Sequence, residues 1–206
     1  MSWQRIPLFP LEVVLFPGAT LPLHIFEPRY KMMIRRCMDQ KEVFGVVLAR
    51  EKDLAPVGCT AEIITLAKEY PDGRMDIVTL GKTAYRVIEV FDDKPYLEAS
   101  VEYLEDESNP GAAETQAQLV SLYQQCHTTI HEWTPEAPEL KPGRSLAFHI
   151  AGDLPLDLEH KQELLEMRAE SERQSRLVER LSAWLPQLTY LEHARAKAGG
   201  NGKGMK

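Results

Sequence analysis

Two histidines have the most suggestive spacing in the chain. His127 and His131 stand four residues apart, with Cys126 directly before the first. Two imidazoles one helical turn apart can share a metal ion. The metalloprotease form of that spacing also needs a glutamate right after the first histidine as general base, and here that residue is Thr128. Cys126 belongs to the apolar seam of the same segment and points elsewhere. The pair therefore reads as solvated or helix-capping, and neither a metal nor any other cofactor is expected.

Gly81-Lys82-Thr83 looks like the end of a phosphate-binding loop. Such a loop needs another glycine five residues earlier and a helix afterwards, so that backbone N–H groups point at phosphate. The earlier position is Asp76, whose charge would repel phosphate, and the next residues form the strand Ala84-Tyr85-Arg86-Val87-Ile88. The tripeptide reads as a turn. A covalent nucleophile needs a base and an oxyanion hole. Cys37 and Cys126 lie on apolar helix faces and Cys59 in a strand, so all three read as structural thiols. No Gly-x-Ser-x-Gly elbow is present, and Glu102, Glu105, Asp106 and Glu107 read as a solvated charge run. No catalytic residue can be named, and no enzymatic activity is expected.

The elements that would position these groups change period part-way along the chain. Val13-Val14-Leu15-Phe16 is a β-branched and aromatic run closed by Pro17-Gly18. Leu21, Leu23 and Ile25 alternate with Thr20, Pro22 and His24, which makes a half-buried strand with its proline outward. Further strands are expected over 43–49, 57–66, 75–80, 84–91 and 96–103, with Pro71-Asp72-Gly73 as a hairpin turn. One helix interrupts them. In Pro28–Gln40 the residues Tyr30, Met33, Ile34, Cys37 and Met38 form a single apolar stripe.

After Asn109-Pro110-Gly111 the spacing of Leu119, Tyr123, Cys126, Ile130 and Trp133 predicts a long amphipathic helix. The prolines at 135, 138 and 142 make 134–143 a loop. Shorter helices are expected from Ser145 to Ala151 and from Leu158 to Met167, the second capped by Asp157. A last helix, capped by Ser171, buries Leu177, Val178, Leu181, Trp184 and Leu185 before Pro186. The expected division is a β-rich part over 1–107, a helical part over 108–190 and a glycine-rich disordered tail over 191–206.

Composition bounds the class. The chain has 206 residues, 44% hydrophobic and 27% charged, ordinary for a globular protein and too apolar for wholesale disorder. No run approaches the roughly 18 apolar residues of a membrane span, and the N-terminus lacks the apolar core of a secretory signal. Three scattered cysteines do not form a disulfide framework, so a reducing cytoplasmic setting is expected. Net charge is −7; without the four cations of 195–206, residues 1–194 carry −11. Such a body repels phosphate backbones, so nucleic acid is not an expected partner, and neither is a membrane.

The residues also resemble a known family. Ile6-Pro7-Leu8-Phe9-Pro10-Leu11-Glu12 through Pro17-Gly18, then Leu21-Pro22-Leu23-His24-Ile25-Phe26-Glu27-Pro28-Arg29-Tyr30, are similar to the start of the N-terminal substrate-binding domain of ATP-dependent Lon proteases. Val57-Gly58-Cys59-Thr60-Ala61-Glu62-Ile63, Pro71-Asp72-Gly73-Arg74 and Gly81-Lys82-Thr83-Ala84-Tyr85-Arg86-Val87 come next in the family's order. Leu154-Pro155-Leu156 and Gln162-Glu163-Leu164-Leu165-Glu166-Met167 extend the resemblance over about 5–186. It implies an α+β fold: a PUA-like β pseudo-barrel with one inserted helix, followed by a C-terminal helical bundle. It also implies a stand-alone relative of that domain, without the ATPase and Ser-Lys peptidase modules.

The expected function is non-enzymatic binding of exposed apolar segments in unfolded or tagged proteins, as an adaptor to an ATP-dependent protease. The residues support this through apolar side chains on faces that should meet water. Asp76 marks the outward face of 75–80, and Val78 and Leu80 share it; Pro22 is outward on its own strand. Pro22, Val78 and Leu80 are therefore the candidate peptide-binding residues. The alternative is an RNA-binding protein of PUA-like fold, which the acidic body and the lack of interleaved aromatic and basic residues oppose.

Overall fold

The computed structural model describes residues 3–50, 53–107, 109–138 and 143–200. Seven strands, β1 (Gln4–Leu11), β2 (Thr20–Ile25), β3 (Phe44–Arg50), β4 (Asp53–Leu54), β5 (Val57–Glu69), β6 (Met75–Phe91) and β7 (Glu98–Tyr103), precede most of the helices. Helix α1 (Pro28–Gln40) is inserted after β2, and α2 (Ala113–His131), α3 (Leu146–Asp153), α4 (Leu158–Glu166) and α5 (Glu170–Gly200) come after β7.

The strand order is β1-β7-β6-β5-β3-β4, with β2 on the first part of β6. β1 runs antiparallel to β7 from Gln4 to Pro7, then parallel to β3 from Leu8 to Leu11, so the ladder returns to its first strand. The switch falls at Pro7, which has no N–H to give to either neighbour. This strand differs from the expectation. The run Val13–Phe16 crosses between elements, and the pairing segment is the proline-containing stretch before it. Leu15 and Phe16 are buried all the same, as anchors between sheet and helices.

β6 is one strand of 17 residues, and Gly81-Lys82-Thr83 lies inside it, not at a turn as its composition suggests. A Cβ at Gly81 would stand 2.2 Å from the Phe16 carbonyl oxygen, so glycine is needed for close approach. The two segments are stitched there: Gly18 N–H donates to Gly81 O and Gly81 N–H to Ala19 O, both at 2.8 Å. The register of β5 against β6 shifts at this point, and the Thr60 hydroxyl repairs the ladder. It donates to Thr83 O at 3.2 Å and accepts from Thr83 N–H at 3.1 Å.

α1 has the bounds and the buried stripe that its spacing predicts, with Tyr30, Met33, Ile34 and Cys37 packed on Phe9, Ile25, Phe44, Met75 and Ile77. α2 ends at His131, so Trp133 lies beyond the helix and is 57% exposed instead of continuing the seam. α3 and α4 are capped by Ser145 and Asp157, whose side chains accept from the N–H groups of Phe148 and His160. α5 passes through Pro186 and runs to Gly200, where its composition predicts a break and then a loose tail. Half-buried Trp184, Leu185 and Leu188 on both sides of the proline pack on the helical core and outweigh the one missing hydrogen bond. Residues 201–206 of the expected tail and 139–142 of the expected loop lie outside the described residues.

The helical core is shared with the sheet. Leu119, Tyr123, Cys126, Ile150, Leu164, Leu177 and Leu181 cluster with Phe16, Val57 and Ala84. The loop after β7 completes the junction through Asp106, part of the acidic run expected to be merely solvated. It accepts two hydrogen bonds from Arg173, a side chain 1% exposed. Arg173 also bonds Glu170 at 3.0 Å and lies 4.2 Å from the ring centre of Phe148, which stacks on Phe16 at 4.9 Å.

Candidate functional site

The expected site residues meet on one face of the sheet. β2, β6 and β5 pair so that Pro22, Val78 and Thr65 form one cross-strand row, flanked by Thr20, Leu80 and Glu62 on one side and His24, Asp76 and Lys68 on the other. Alternation places these rows on the opposite face from Leu21, Leu23, Ile77 and Met75, which pack under α1. Pro22 is exposed, and Val78 and Leu80 are half-buried. Among the described residues none of the three packs into the hydrophobic clusters. Along β5, Ile64 is 48% exposed and Leu66 41%, beside a strand edge that beyond Ala61 pairs only with β6.

A polar and aromatic group that sequence reasoning missed closes one end of this face. Asp76 lies 2.5 Å from His24 Nδ1 and accepts from the Tyr70 hydroxyl at 2.8 Å. These two hydrogen bonds, the one from His24 foremost, hold the Asp76 carboxyl below the usual carboxylate range. Phe26, 60% exposed, and Tyr70 each stand 6.0 Å from the His24 ring. The turn Pro71-Asp72-Gly73 was a usable signal for the register of β5 on β6, but nothing in the sequence aligned β2 with them.

The other groups weighed as chemistry are engaged structurally. His127 is buried; its Nδ1–H donates to the Trp133 carbonyl at 3.2 Å, and its Nε2 faces Asp153 at 3.7 Å. Tyr123 donates to the same Asp153 carboxylate at 2.7 Å. His131 is exposed one turn away, with the two imidazole rings 4.5 Å apart. Among the described residues no group of three or more His, Cys, Asp or Glu side chains is placed to hold a metal ion. Cys37, Cys59 and Cys126 are buried and free, and burial pushes their thiols up to about 12, about 12 and about 11. They carry almost no thiolate at neutral pH and are poor nucleophiles. No helix among the described residues is long and apolar enough to cross a membrane.

Residues 5–183 match the family of the ATP-dependent protease La (LON) substrate-binding domain. The chain belongs to that family. The Lon protease of Anaeromyxobacter dehalogenans (strain 2CP-C) is 31% identical over 179 residues, covering 78% of this chain and 21% of the relative. Lon protease 2 of Myxococcus xanthus is 31% identical over 181 residues, covering 79% and 22%. The chain thus spans only about a fifth of the length of these relatives. Among solved structures, the Lon N-terminal domain protein from Xanthomonas campestris superposes with a TM-score of 0.67 at 26% identity, over 88% of this chain and 98% of the other. The N-terminal domain of the Mycobacterium avium complex Lon protease, 14% identical, shares the fold with a TM-score of 0.62. The LON substrate-binding match starts at β1 and ends within α5, so it takes in both the sheet and the helical core.

Proposed function

We propose that this LON substrate-binding family member is a non-enzymatic recognition module for exposed apolar segments of unfolded or tagged proteins, acting as an adaptor in ATP-dependent proteolysis. The observation that carries the reading is the cross-strand row of exposed Pro22 and half-buried Val78 with Leu80 beside it, outside the hydrophobic clusters of the described residues. Exposed apolar surface of this kind marks binding sites on folded proteins. The polar rows on either side, with Glu62 and Lys68, would keep the face soluble while unoccupied. The ladder that returns to β1 supports a PUA-like pseudo-barrel over 1–107, and the packing of α2–α5 a helical bundle over 108–190. The common core argues that the two parts fold together.

The test is fluorescence anisotropy of a labelled, permanently unfolded protein titrated with this chain, with the folded form of the same protein as control. Saturable binding of the unfolded form alone is expected. Val78→Asp and Pro22→Asp should each weaken that binding with the thermal midpoint little changed. A large drop in midpoint would instead make these residues core and overturn the site. Casein incubated with the chain, with or without ATP, should stay intact.

A further inference from the structure

A second surface, with no lining residue in common with the Pro22–Val78–Leu80 face, lies between the β3–β4 hairpin and α4. It is a cleft of about 380 Å³. Its floor is Leu48 of β3 with Leu54 and Ala55 of the hairpin, the last two packed on the Ile6, Leu8, Val47 and Tyr85 cluster. Its wall is one stripe of α4, since Glu159, Gln162, Glu163 and Glu166 fall at i, i+3, i+4 and i+7. Asp53 adds a fourth carboxylate from β4.

The charge here is one-sided. Among the described residues Arg50 is the one cation in the lining, and it is bound to Glu159. Glu163 is paired with Arg176 on α5, outside the cleft, at 2.5 Å. Among the described residues, Asp53 and Glu166 make no ion pair within 4 Å, although Arg168 lies close enough to Glu166 to feel its charge. At the base, Gln162 is nine-tenths buried. Its Nε2 donates to Val57 O at 2.9 Å and to Glu166 Oε1 at 2.8 Å, while among the described residues its Oε1 accepts nothing. An apolar floor beside surplus carboxylate calls for an occupant with an aliphatic stem and a cationic N–H head. β4 is the last strand in the order and among the described residues pairs only with β3, so its outer edge can also take an extended main chain.

We propose that this cleft binds an extended peptide segment bearing a lysine or arginine, its stem on Leu48, Leu54 and Ala55 and its charge between Asp53, Glu163 and Glu166. The open strand edge favours a peptide over a free polyamine. The proposal goes beyond the apolar recognition argued above, and it stands or falls separately from it.

The full chain, labelled with nitrogen-15, would be titrated with two unstructured peptides of equal length. One carries Leu-Lys-Leu-Arg at its centre, and the other Leu-Glu-Leu-Glu. Expected are amide shifts at Leu48, Leu54, Ala55, Gln162 and Glu163 with the basic peptide alone. Asp53→Lys, at an exposed position whose side chain makes no hydrogen bond or ion pair among the described residues, should keep the fold and weaken that binding roughly tenfold, as should raising salt from about 50 to about 500 mM. Equal binding of both peptides, or shifts confined to Pro22, Val78 and Leu80, would overturn the cleft while leaving the other face untouched. Spermidine shifting the same amides with no response to the basic peptide would replace the peptide by a free amine. Shifts that grow with protein concentration alone, alongside a dimer in sedimentation velocity, would replace it by a second copy of the chain.

Discussion

At the junction of sheet and helices a charged side chain is 1% exposed, whereas on the outward face of β2, β6 and β5 a proline stands open to solvent and two aliphatic side chains are only half-buried. Arg173 is held by two carboxylates, the Met167 carbonyl and the Phe148 ring, so its burial is fully answered by partners. Pro22, Val78 and Leu80 belong to no core cluster. The contrast separates two uses of sequence. Polar groups in the junction fix how the two parts of the chain meet, while under the proposed function apolar groups on the face should contribute little to folding and be free for a ligand.

The strongest way to break that contrast is to remove the junction's charge. Arg173→Ala takes the cation from the Glu170 carboxylate, 13% exposed, leaving it only the neutral donors Ser145, Ala147 N–H and Gln174, and opens a void over Phe148. Removing one partner of a buried pair costs about 3–5 kcal/mol. The lower end is expected, because Asp106 is 44% exposed and can turn to water. Urea unfolding followed by fluorescence measures it, and a loss below about 1 kcal/mol would show that the junction is not what joins the two parts. Asp106→Asn should cost less, about 1 kcal/mol, since Arg173 keeps Glu170 and the Met167 carbonyl.

A second buried charge sharpens the comparison through pH. Glu98 is 2% exposed and is met by Arg5 at 2.8 Å and by Arg36 and Lys94 at 2.7 Å each. Burial pushes its carboxyl up, but the hydrogen bonds from Lys94 and Arg36 and the charges of Lys94 and Arg5 outweigh it, leaving it below the usual carboxylate range. A carboxyl with a lowered folded pKa contributes stability that is present above its unfolded pKa of about 4.3 and is lost as pH falls through the folded value. Stability should therefore decline below about pH 4.3 more steeply in the natural protein than in Glu98→Gln. At neutral pH that variant should lose about 1–3 kcal/mol. Identical acid profiles for the two proteins would mean that Glu98 is not bound as an anion.

How much of the fold was legible in the sequence depends on how far the deciding contact lies along the chain. α1 could be read because its stripe is local, from Tyr30 to Met38. Gly81 could not, because the carbonyl that demands a glycine belongs to Phe16, in another segment. Asp106 looked like one more solvated acid, since its partner Arg173 lies 67 residues away. Pro186 misled for a related reason: intrinsic preference ends a helix there, while Trp184, Leu185 and Leu188 hold it from both sides. For the candidate face, alternation was enough to turn Pro22, Val78 and Leu80 outward. That Pro22 pairs directly with Val78 needed the β2–β6 register, which no local signal encodes. The acid-walled cleft beside α4 was hidden likewise, because its floor and wall come from distant segments.

The smallest effect on stability is the most informative about function. Val78 has Pro22 and Thr65 as its cross-strand partners and lies outside the hydrophobic clusters, so the charge of Val78→Asp stays only partly buried and in reach of water. Strand propensity and the lost contact with Pro22 should together cost about 1 kcal/mol or less. The same change places a carboxylate at the centre of the proposed face, where any apolar segment would have to desolvate it. Stability and binding are therefore expected to part company at this residue, with urea midpoints close to the natural protein and weak or absent binding of the unfolded client. At Arg173 the two should move together, since loosening the junction disturbs the whole fold. If Val78→Asp behaved like Arg173→Ala, the face would be core that the sheet geometry disguises. If it changed neither stability nor binding, the client would dock elsewhere, and the acid-walled cleft beside α4 would become the first place to look.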